Sequence, residues 1–180
     1  MSAWYWILIV IAVLILVPVI IALTRPDDFR YIRTGRIKAP PSVVFDYAND
    51  VHKWQEWSPW AKEDPNCKNT FSGPPSGKDA SFKWAGNSKV GEGAMTVTDS
   101  RPVEFVQYRL EFFKPFKCSH TVEFTVKPDG PHATLDWVMY GKHPFIGKVM
   151  GVFMNCDKML GDRFEQVFKN LNAVIGSGTA

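Results

Sequence analysis

The sequence has few cysteines and no arrangement of them that indicates a cross-link or a metal. The three cysteines, Cys67, Cys118 and Cys156, are an odd number at wide spacing. Such a set predicts neither a disulfide framework nor a zinc site. Cys118 and His120 lie two positions apart, but no nearby residue completes the four ligands that structural zinc needs. We therefore predict that the protein binds no metal.

The sequence also lacks a concentration of charge of one sign. Its formal net charge is +3, and the lysines and arginines are spread along the chain. Nucleic-acid binding depends on a basic face or stripe. The absence of such a stripe argues against nucleic acid as a partner.

No recognisable catalytic signature is present: there is no Ser-His-Asp set, no HExxH pair and no P-loop. Acid–base catalysis requires a positioned titratable pair. The available candidates are Asp46, Glu56, Asp99, His120 and Asp136. We place Asp136 and His120 at outward-facing positions or near strand starts, and Asp99 at a strand end, where exposure to solvent is expected. The sequence therefore predicts no catalytic residue and no cofactor.

The glycine-rich stretch from Gly91 to Met95 is superficially similar to a dinucleotide-binding loop. It lacks the third glycine of that motif, because Thr96 occupies the position, and it precedes a strand pattern. We interpret its glycines as parts of a turn or a β-bulge.

One long apolar run is present at the start of the chain. It extends from Trp4 to Leu23 and is interrupted only by Pro18. A helix of about 20 residues spans ~30 Å, the thickness of the hydrocarbon core of a bilayer. Trp4 and the two aromatic residues after it are typical of the membrane interface. We predict that residues 1–26 form a transmembrane anchor.

A cleaved signal peptide is the alternative for this segment. Such a peptide needs a basic n-region and a small-residue cleavage site. No Lys or Arg precedes the run, and Arg25-Pro26 follows it, so retention is favoured. The positive-inside rule then predicts a single-pass protein, of the kind found in the bacterial inner membrane, with the rest of the chain in the cytoplasm. The basic residues that support this orientation are Arg25, Arg30, Arg33, Arg36 and Lys38.

After the anchor the sequence predicts one α+β domain over residues 27–176. A strand over 29–38 is followed by two short helices, which begin at Pro41 and His52. About six strands with strict alternation come next. The clearest is Phe105–Phe112, in which Val106, Tyr108, Leu110 and Phe112 alternate with polar residues. Such alternation is typical of an antiparallel sheet with one covered face.

The last part of the chain changes to a helical period. Apolar residues recur at three- and four-residue steps between Phe145 and Val174, which predicts one long helix with Gly151 and Gly161 as candidate breaks. The only large apolar surface available to this helix is the inner face of the sheet. Residues 177–180 are predicted to be a disordered tail.

Two segments early in this domain, Ile37 to Tyr47 and Trp54 to Trp60, resemble the opening of the SRPBCC superfamily, the START-like and polyketide cyclase/dehydrase-like group. Three more, Thr70 to Pro74, Trp84 to Met95 and Lys148 to Met154, resemble its membrane-anchored, polyketide cyclase-like branch. The resemblance covers residues 29–175 and implies a helix-grip fold, in which a curved antiparallel sheet wraps around a long C-terminal helix and encloses a deep apolar pocket. Members of the superfamily include binders, transporters, cyclases, hydrolases and co-chaperone domains.

Aromatic residues make up 14% of the chain, and those predicted to face inward are the candidates for ligand binding. The same rings could instead fill the core, and the Tyr108 hydroxyl could reach either a ligand or a buried backbone group. The predicted ligand-binding residues are Trp57, Trp60, Phe82, Trp84, Tyr108, Phe112, Trp137 and Phe153.

These observations favour membrane-tethered binding or transfer of a hydrophobic small molecule or lipid in a cavity between sheet and helix. Two alternatives follow from the resemblance. One is a cyclase-like or hydrolase-like enzyme that acts on an aromatic or polyketide substrate, and the other is a co-chaperone-like module for protein interaction. The sequence does not predict the oligomeric state.

Overall fold

The computed structural model of the chain describes residues 3–153 and 156–177. A short 3₁₀ turn, Trp60–Lys62, follows the third helix. In chain order the helices and strands are α1 (Ala3–Thr24), β1 (Asp28–Ile37), α2 (Pro41–Asn49), α3 (Trp54–Trp57), β2 (Lys68–Ser72), β3 (Ser81–Ala85), β4 (Glu92–Arg101), β5 (Phe105–Lys114), β6 (Cys118–Asp129), β7 (His132–Lys142), α4 (Phe145–Phe153) and α5 (Cys156–Ser177).

The seven strands form one antiparallel sheet in the order β1-β7-β6-β5-β4-β3-β2. Strands β2 to β7 follow one another as neighbours, and β1 completes the far edge beside β7. The alternation in the sequence correctly predicts strands β3 to β7. It does not locate β2, because all five residues of this edge strand are exposed and carry no apolar period.

The core lies between the inner face of the sheet and α5. Alternate residues of the central strands, such as Val122 and Phe124, are buried there. The facing stripe of α5 consists of Phe164, Val167, Leu171 and Ile175, spaced by three and four residues. This spacing keeps one side of a helix against the sheet, as the sequence predicts.

The close approach of α5 to β1 depends on Gly35. A Cβ atom at this position would lie 2.4 Å from Cγ of Phe168, which is far inside van der Waals contact. Gly35 therefore lets the Phe168 ring lie directly on the strand backbone.

Hydrogen bonds connect the two short helices to each other, to α5 and to the sheet. The Trp57 indole N–H donates to the Tyr47 carbonyl oxygen at 3.1 Å, and the Asn170 amide donates to the Trp57 carbonyl oxygen at 2.9 Å. The Tyr108 hydroxyl donates to the Ala48 carbonyl oxygen at 2.6 Å. Of the two partners considered for Tyr108, the buried backbone group is thus the one in the structure.

The predicted C-terminal helix is present as two helices. Gly151 lies within the last turn of α4, Gly161 lies inside α5, and residues 154–155 between the helices are outside the described residues, as are residues 178–180 of the predicted tail. While α5 covers the sheet, α4 packs against α1. Helix α1 is continuous through Pro18 and is long and apolar enough to cross a membrane.

Candidate functional site

A cavity of about 390 Å³ lies between the inner face of the sheet, the segment around α3 and helix α5. Its volume falls within the range of small-molecule pockets, roughly 300–1,000 Å³. Most of its wall is aromatic or aliphatic. The residues that line it are Trp54, Gln55, Ser58, Trp60, Ala61, Asp64, Pro65, Cys67, Asn69, Phe82, Trp84, Val90, Met95, Leu110, Phe112, Val122, Trp137, Met139 and Phe164.

The sheet contributes its share of the wall through alternate residues. Phe82 and Trp84 come from β3, Leu110 and Phe112 from β5, and Trp137 from β7. Side chains two positions apart in a strand point to the same face, so each strand presents consecutive inward residues to the cavity. Trp84 and Phe112 meet edge to face across β4, with ring centroids 5.7 Å apart.

Two glycines position Trp84 in this wall. A Cβ at Gly93 would lie 2.3 Å from Cζ2 of Trp84, so the indole occupies the space that any larger residue would fill. Gly91 adopts a φ of +71° before β4, and the pairing of β4 with β5 shifts register between Glu92 and Gly93. The glycines therefore form a turn and a bulge, as predicted, and they shape the cavity.

Five of the eight predicted ligand-binding residues line the cavity, namely Trp60, Phe82, Trp84, Phe112 and Trp137. The other three do not.

Trp57 and Tyr108 are fully buried behind the wall. The Trp57 ring packs against Phe124 and Trp137, with centroids 6.2 and 6.4 Å apart. Phe153 is 71% exposed at the end of α4. The apolar stripe placed it under the sheet, but the helix that contains it packs on α1 instead.

Several residues that line the cavity are not among the predicted ligand-binding residues. Leu110 and Met139 share the alternation of the predicted rings, and only their lack of an aromatic group kept them out of the prediction. Gln55, Asp64 and Cys67 lie on or after the short helix α3, in a stretch without a simple period. Their position depends on how this stretch folds back over the sheet, which no local pattern encodes.

Two N–H donors in the cavity-lining residues have no hydrogen-bond partner among the residues that the structure describes. They are Nε1 of Trp137 and Nε2 of Gln55, and both atoms are buried. The Gln55 amide oxygen accepts from Nδ2 of Asn69 at 3.2 Å, which fixes the nitrogen as the free end. A buried donor without a partner lowers the stability of the folded protein by about 1–3 kcal/mol. A ligand in the cavity with a hydrogen-bond acceptor near these atoms would therefore be stabilised.

Asp64 lies in the cavity wall and accepts two backbone hydrogen bonds. One of its carboxylate oxygens accepts from the backbone N–H of Asn87 at 2.6 Å, and the other accepts from the backbone N–H of Asn66 at 3.1 Å. The bond from Asn87 joins the segment after α3 to the β3–β4 turn, and the bond from Asn66 lies within that segment. Burial, and after it the Asp64 charge, raises the pKa of the neighbouring Cys67 thiol, so this thiol is protonated at neutral pH.

None of the five catalytic candidates lines the cavity. Asp46 forms an ion pair with Lys53 at the surface. Asp136 lies on the outer face of β7, where it accepts from the Thr34 hydroxyl at 2.7 Å and from the Lys127 ammonium at 2.6 Å. Glu56 and Asp99 are exposed.

The predicted exposure of His120 is wrong. Its ring lies on the inner face of β6, in the same alternation as Val122, and is buried 4.9 Å from the Phe29 ring. Burial, and after it the charge of His143, lowers the pKa of His120. Among the described residues, no group of three or more His, Cys, Asp or Glu side chains could hold a metal ion.

Several solved structures share this fold at low sequence identity. Protein CV1439 from Chromobacterium violaceum is 16% identical with a TM-score of 0.56, and the match covers 83% of this chain and 97% of that one. Ara h 8.0201 is 11% identical with a TM-score of 0.58, over 83% and 99% of the two chains. The Aha1 dimer from Colwellia psychrerythraea is 14% identical with a TM-score of 0.55, over 80% and 96%. At these identities the likeness shows the helix-grip fold alone.

The comparison with curated proteins gives no match. One protein-family model does match, over residues 30–176. This range includes every described strand except the first two residues of β1, together with helices α2 to α4 and all of α5 but Ser177. The chain therefore belongs to the family described as polyketide cyclase / dehydrase and lipid transport.

Proposed function

We propose that this protein binds a hydrophobic small molecule or lipid in the cavity between sheet and α5, while α1 holds it at a membrane. The observation that carries the proposal is the cavity of about 390 Å³ with its largely aromatic wall. Pockets of this size and lining bury most of a drug-sized apolar ligand and use a few polar groups to orient it. The family assignment supports a ligand of this kind.

The free donors in the wall narrow the class of ligand. Trp137 Nε1 and Gln55 Nε2 both lack a partner within the described residues, while rings and aliphatic side chains surround them. The ligand that fits has an apolar body and an oxygen acceptor, such as a carbonyl, hydroxyl or carboxylate group. A pure hydrocarbon would leave both donors unsatisfied.

The membrane tether is supported by the exposure of α1. From position 4 to 24, every residue except Pro18, Val19 and Ala22 is exposed, so the helix presents an apolar surface that water solvates poorly. We propose residues 1–26 as the anchor and residues 27–176 as the binding domain. The basic residues after the span favour a cytoplasmic domain.

Native mass spectrometry of the full-length protein released from detergent micelles tests the proposed binding. We expect a non-covalent adduct of a hydrophobic small molecule that disappears after extraction with organic solvent. A bare protein mass in every preparation, including one incubated with a total lipid extract, would contradict the proposal. A ligand returned chemically changed after incubation would instead support the cyclase-like or hydrolase-like alternative.

A further inference from the structure

Helix α4 is apolar, yet none of its residues is buried. Phe145, Ile146, Met150 and Phe153 are all exposed large apolar side chains, and their spacing along the helix places them on one broad face. A helix in water would turn such a face toward the core. Here the core is already covered by α5, so the exposed face of α4 requires another partner.

A second exposed apolar group lies at the same end of the sheet. Phe113 and Phe116 are exposed at the end of β5 and in the β5–β6 turn. Strand pairing brings the β5–β6 turn, the start of α4 and the end of α1 to the same end of the strands. The pairs that show this are Phe112 with Cys118, His120 with Gly141, and Lys142 with Asp28. We call the surface formed by α4 and residues 113–117 the interfacial end.

The interfacial end lies next to the C-terminal part of helix α1, which is the apolar span. Helix α1 packs against α4, and those of its residues that are not exposed, Pro18, Val19 and Ala22, lie in its last two turns. Pro18 is about 9 Å along the helix axis from Thr24, at ~1.5 Å per residue. Because the span itself ends at Thr24, α4 lies beside the outermost part of the span.

Polar bonds hold the two helices together. The Arg25 guanidinium donates to the Gly151 carbonyl oxygen at 2.7 Å. The Lys148 ammonium donates to the Asp27 carboxylate at 2.6 Å and to the Arg25 carbonyl oxygen at 3.3 Å. All three bonds join α4 to the residues that directly follow α1, so α4 is held beside the end of the span.

We infer that the interfacial end lies in the surface layer of the lipid bilayer, with the apolar face of α4 and the Phe113 and Phe116 rings among the upper acyl chains. Amphipathic helices bind lipid in this way, with their apolar face buried about 5–10 Å. Lys117, inside the interfacial end, and Lys142, shortly before α4, are exposed, and ammonium groups at such positions contact anionic headgroups. The inference rests on the proposed membrane anchor, and lipid is chosen as the partner because α4 packs directly against the span.

This placement brings the cavity wall close to lipid. Phe112, a lining residue, lies 6.1 Å from His120 between ring centroids; His120 lies 4.9 Å from Phe29, and Phe29 lies 4.4 Å from His143 at the start of α4. These four rings form a continuous series from the cavity wall to the start of α4. A hydrophobic ligand would then travel a short distance between bilayer and cavity.

Photochemical labelling of the full-length protein in lipid nanodiscs tests the inference. The nanodiscs contain a phosphatidylcholine with a diazirine in the upper part of one acyl chain, and labelled peptides are identified by mass spectrometry. We expect labels in α1, in Phe145–Phe153 and in residues 113–117. Val103, which is 44% exposed at the opposite end of the sheet, provides the internal control and should carry no label.

The outcomes separate this inference from the proposed anchor. Labels in α1 but not in α4 or residues 113–117 would overturn the inference and leave the anchor in place. Labels in neither would overturn both. Labelling of Val103 as strong as that of α4 would show unspecific reaction and would also overturn the inference.

Discussion

The Tyr108 hydroxyl donates a 2.6 Å hydrogen bond to the carbonyl oxygen of Ala48, which ties the centre of β5 to the last turn of α2. Both residues are buried. Burial raises the pKa of Tyr108 well above its ordinary value, so the hydroxyl stays a donor at every physiological pH. Tyr108 therefore supports the wall of the cavity from behind, and α2 depends on it for its position.

Replacing Tyr108 with Phe should lower the free energy of unfolding by about 1–3 kcal/mol, because the buried Ala48 carbonyl loses its partner. Ligand binding should persist under conditions in which the variant is folded. Urea unfolding in detergent, followed by near-UV circular dichroism, measures the effect. The matched control is Tyr140→Phe, which removes a hydroxyl bonded to Glu123 near the surface; an equal loss in both variants would contradict the role of Tyr108.

Replacing Gly35 with Ala should destabilise the contact between β1 and α5. The new methyl group would fall 2.4 Å from Cγ of Phe168, and such overpacking costs about 1–3 kcal/mol. The same unfolding measurement applies. The double variant Gly35→Ala, Phe168→Leu should lose less free energy of unfolding than the two single variants lose together. Losses that simply add would show that the two residues are not in contact.

Replacing Trp137 with Phe should weaken ligand binding up to roughly tenfold, the equivalent of one hydrogen bond of about 1.4 kcal/mol. The reason is that the free indole donor disappears while most of the ring area remains. Titration with the ligand identified by mass spectrometry gives the dissociation constant.

Trp84→Phe is the control for this change, because it makes the same alteration to a ring in the same cavity. The Trp84 N–H already donates to the Val90 carbonyl oxygen at 3.3 Å and is not free for a ligand. Equal weakening in both variants would argue that ring area matters and that the Trp137 donor does not.

Stability should fall as the pH decreases below about 6.5, in part because of His120. Burial, and after it the charge of His143, holds its folded-state pKa below the ordinary value of 6.5. The pKa of His143 is likewise lowered by burial and then by Lys148. The unfolded chain therefore takes up these protons at a higher pH than the folded chain does. The stability that the two neutral histidines contribute above pH 6.5 is lost as the pH falls from 6.5 through their folded-state pKa values.

Unfolding measured between about pH 5 and pH 8 in His120→Phe should show a flatter dependence on pH than in the wild type. His52→Gln changes a half-exposed histidine outside this cluster and serves as the control. A slope in His120→Phe as steep as that of the wild type would exclude the contribution of His120.

The parts of the fold that the sequence predicts correctly are those with a strict local period. Val106 and Tyr108 alternate with polar neighbours because one face of β5 is covered, and Phe164 to Ile175 recur at helical steps because one side of α5 is covered. Strand β2 was missed because its residues have no covered face. The correct predictions follow from burial on a single side, and the missed strand follows from the lack of it.

The candidate site was predictable only in part. An inward-facing ring can line a cavity or fill the core, and the difference between Phe112 and Tyr108 depends on where α2 and α3 cover the sheet. Phe153 was misplaced because the same apolar stripe serves two surfaces, one against the sheet and one beside α1. Gln55 and Asp64 contribute through tertiary contacts that have no sequence period.

The central claim is that the ligand occupies the cavity, and replacing Leu110 with Trp tests it most directly. Leu110 lines the cavity, so the larger side chain would fill part of the space, whereas Ile32→Trp adds the same group to an exposed position on β1. Native mass spectrometry of the full-length proteins gives the ligand occupancy of each variant. We predict that the adduct is lost in Leu110→Trp and retained in Ile32→Trp; equal occupancy in both folded variants would contradict the account.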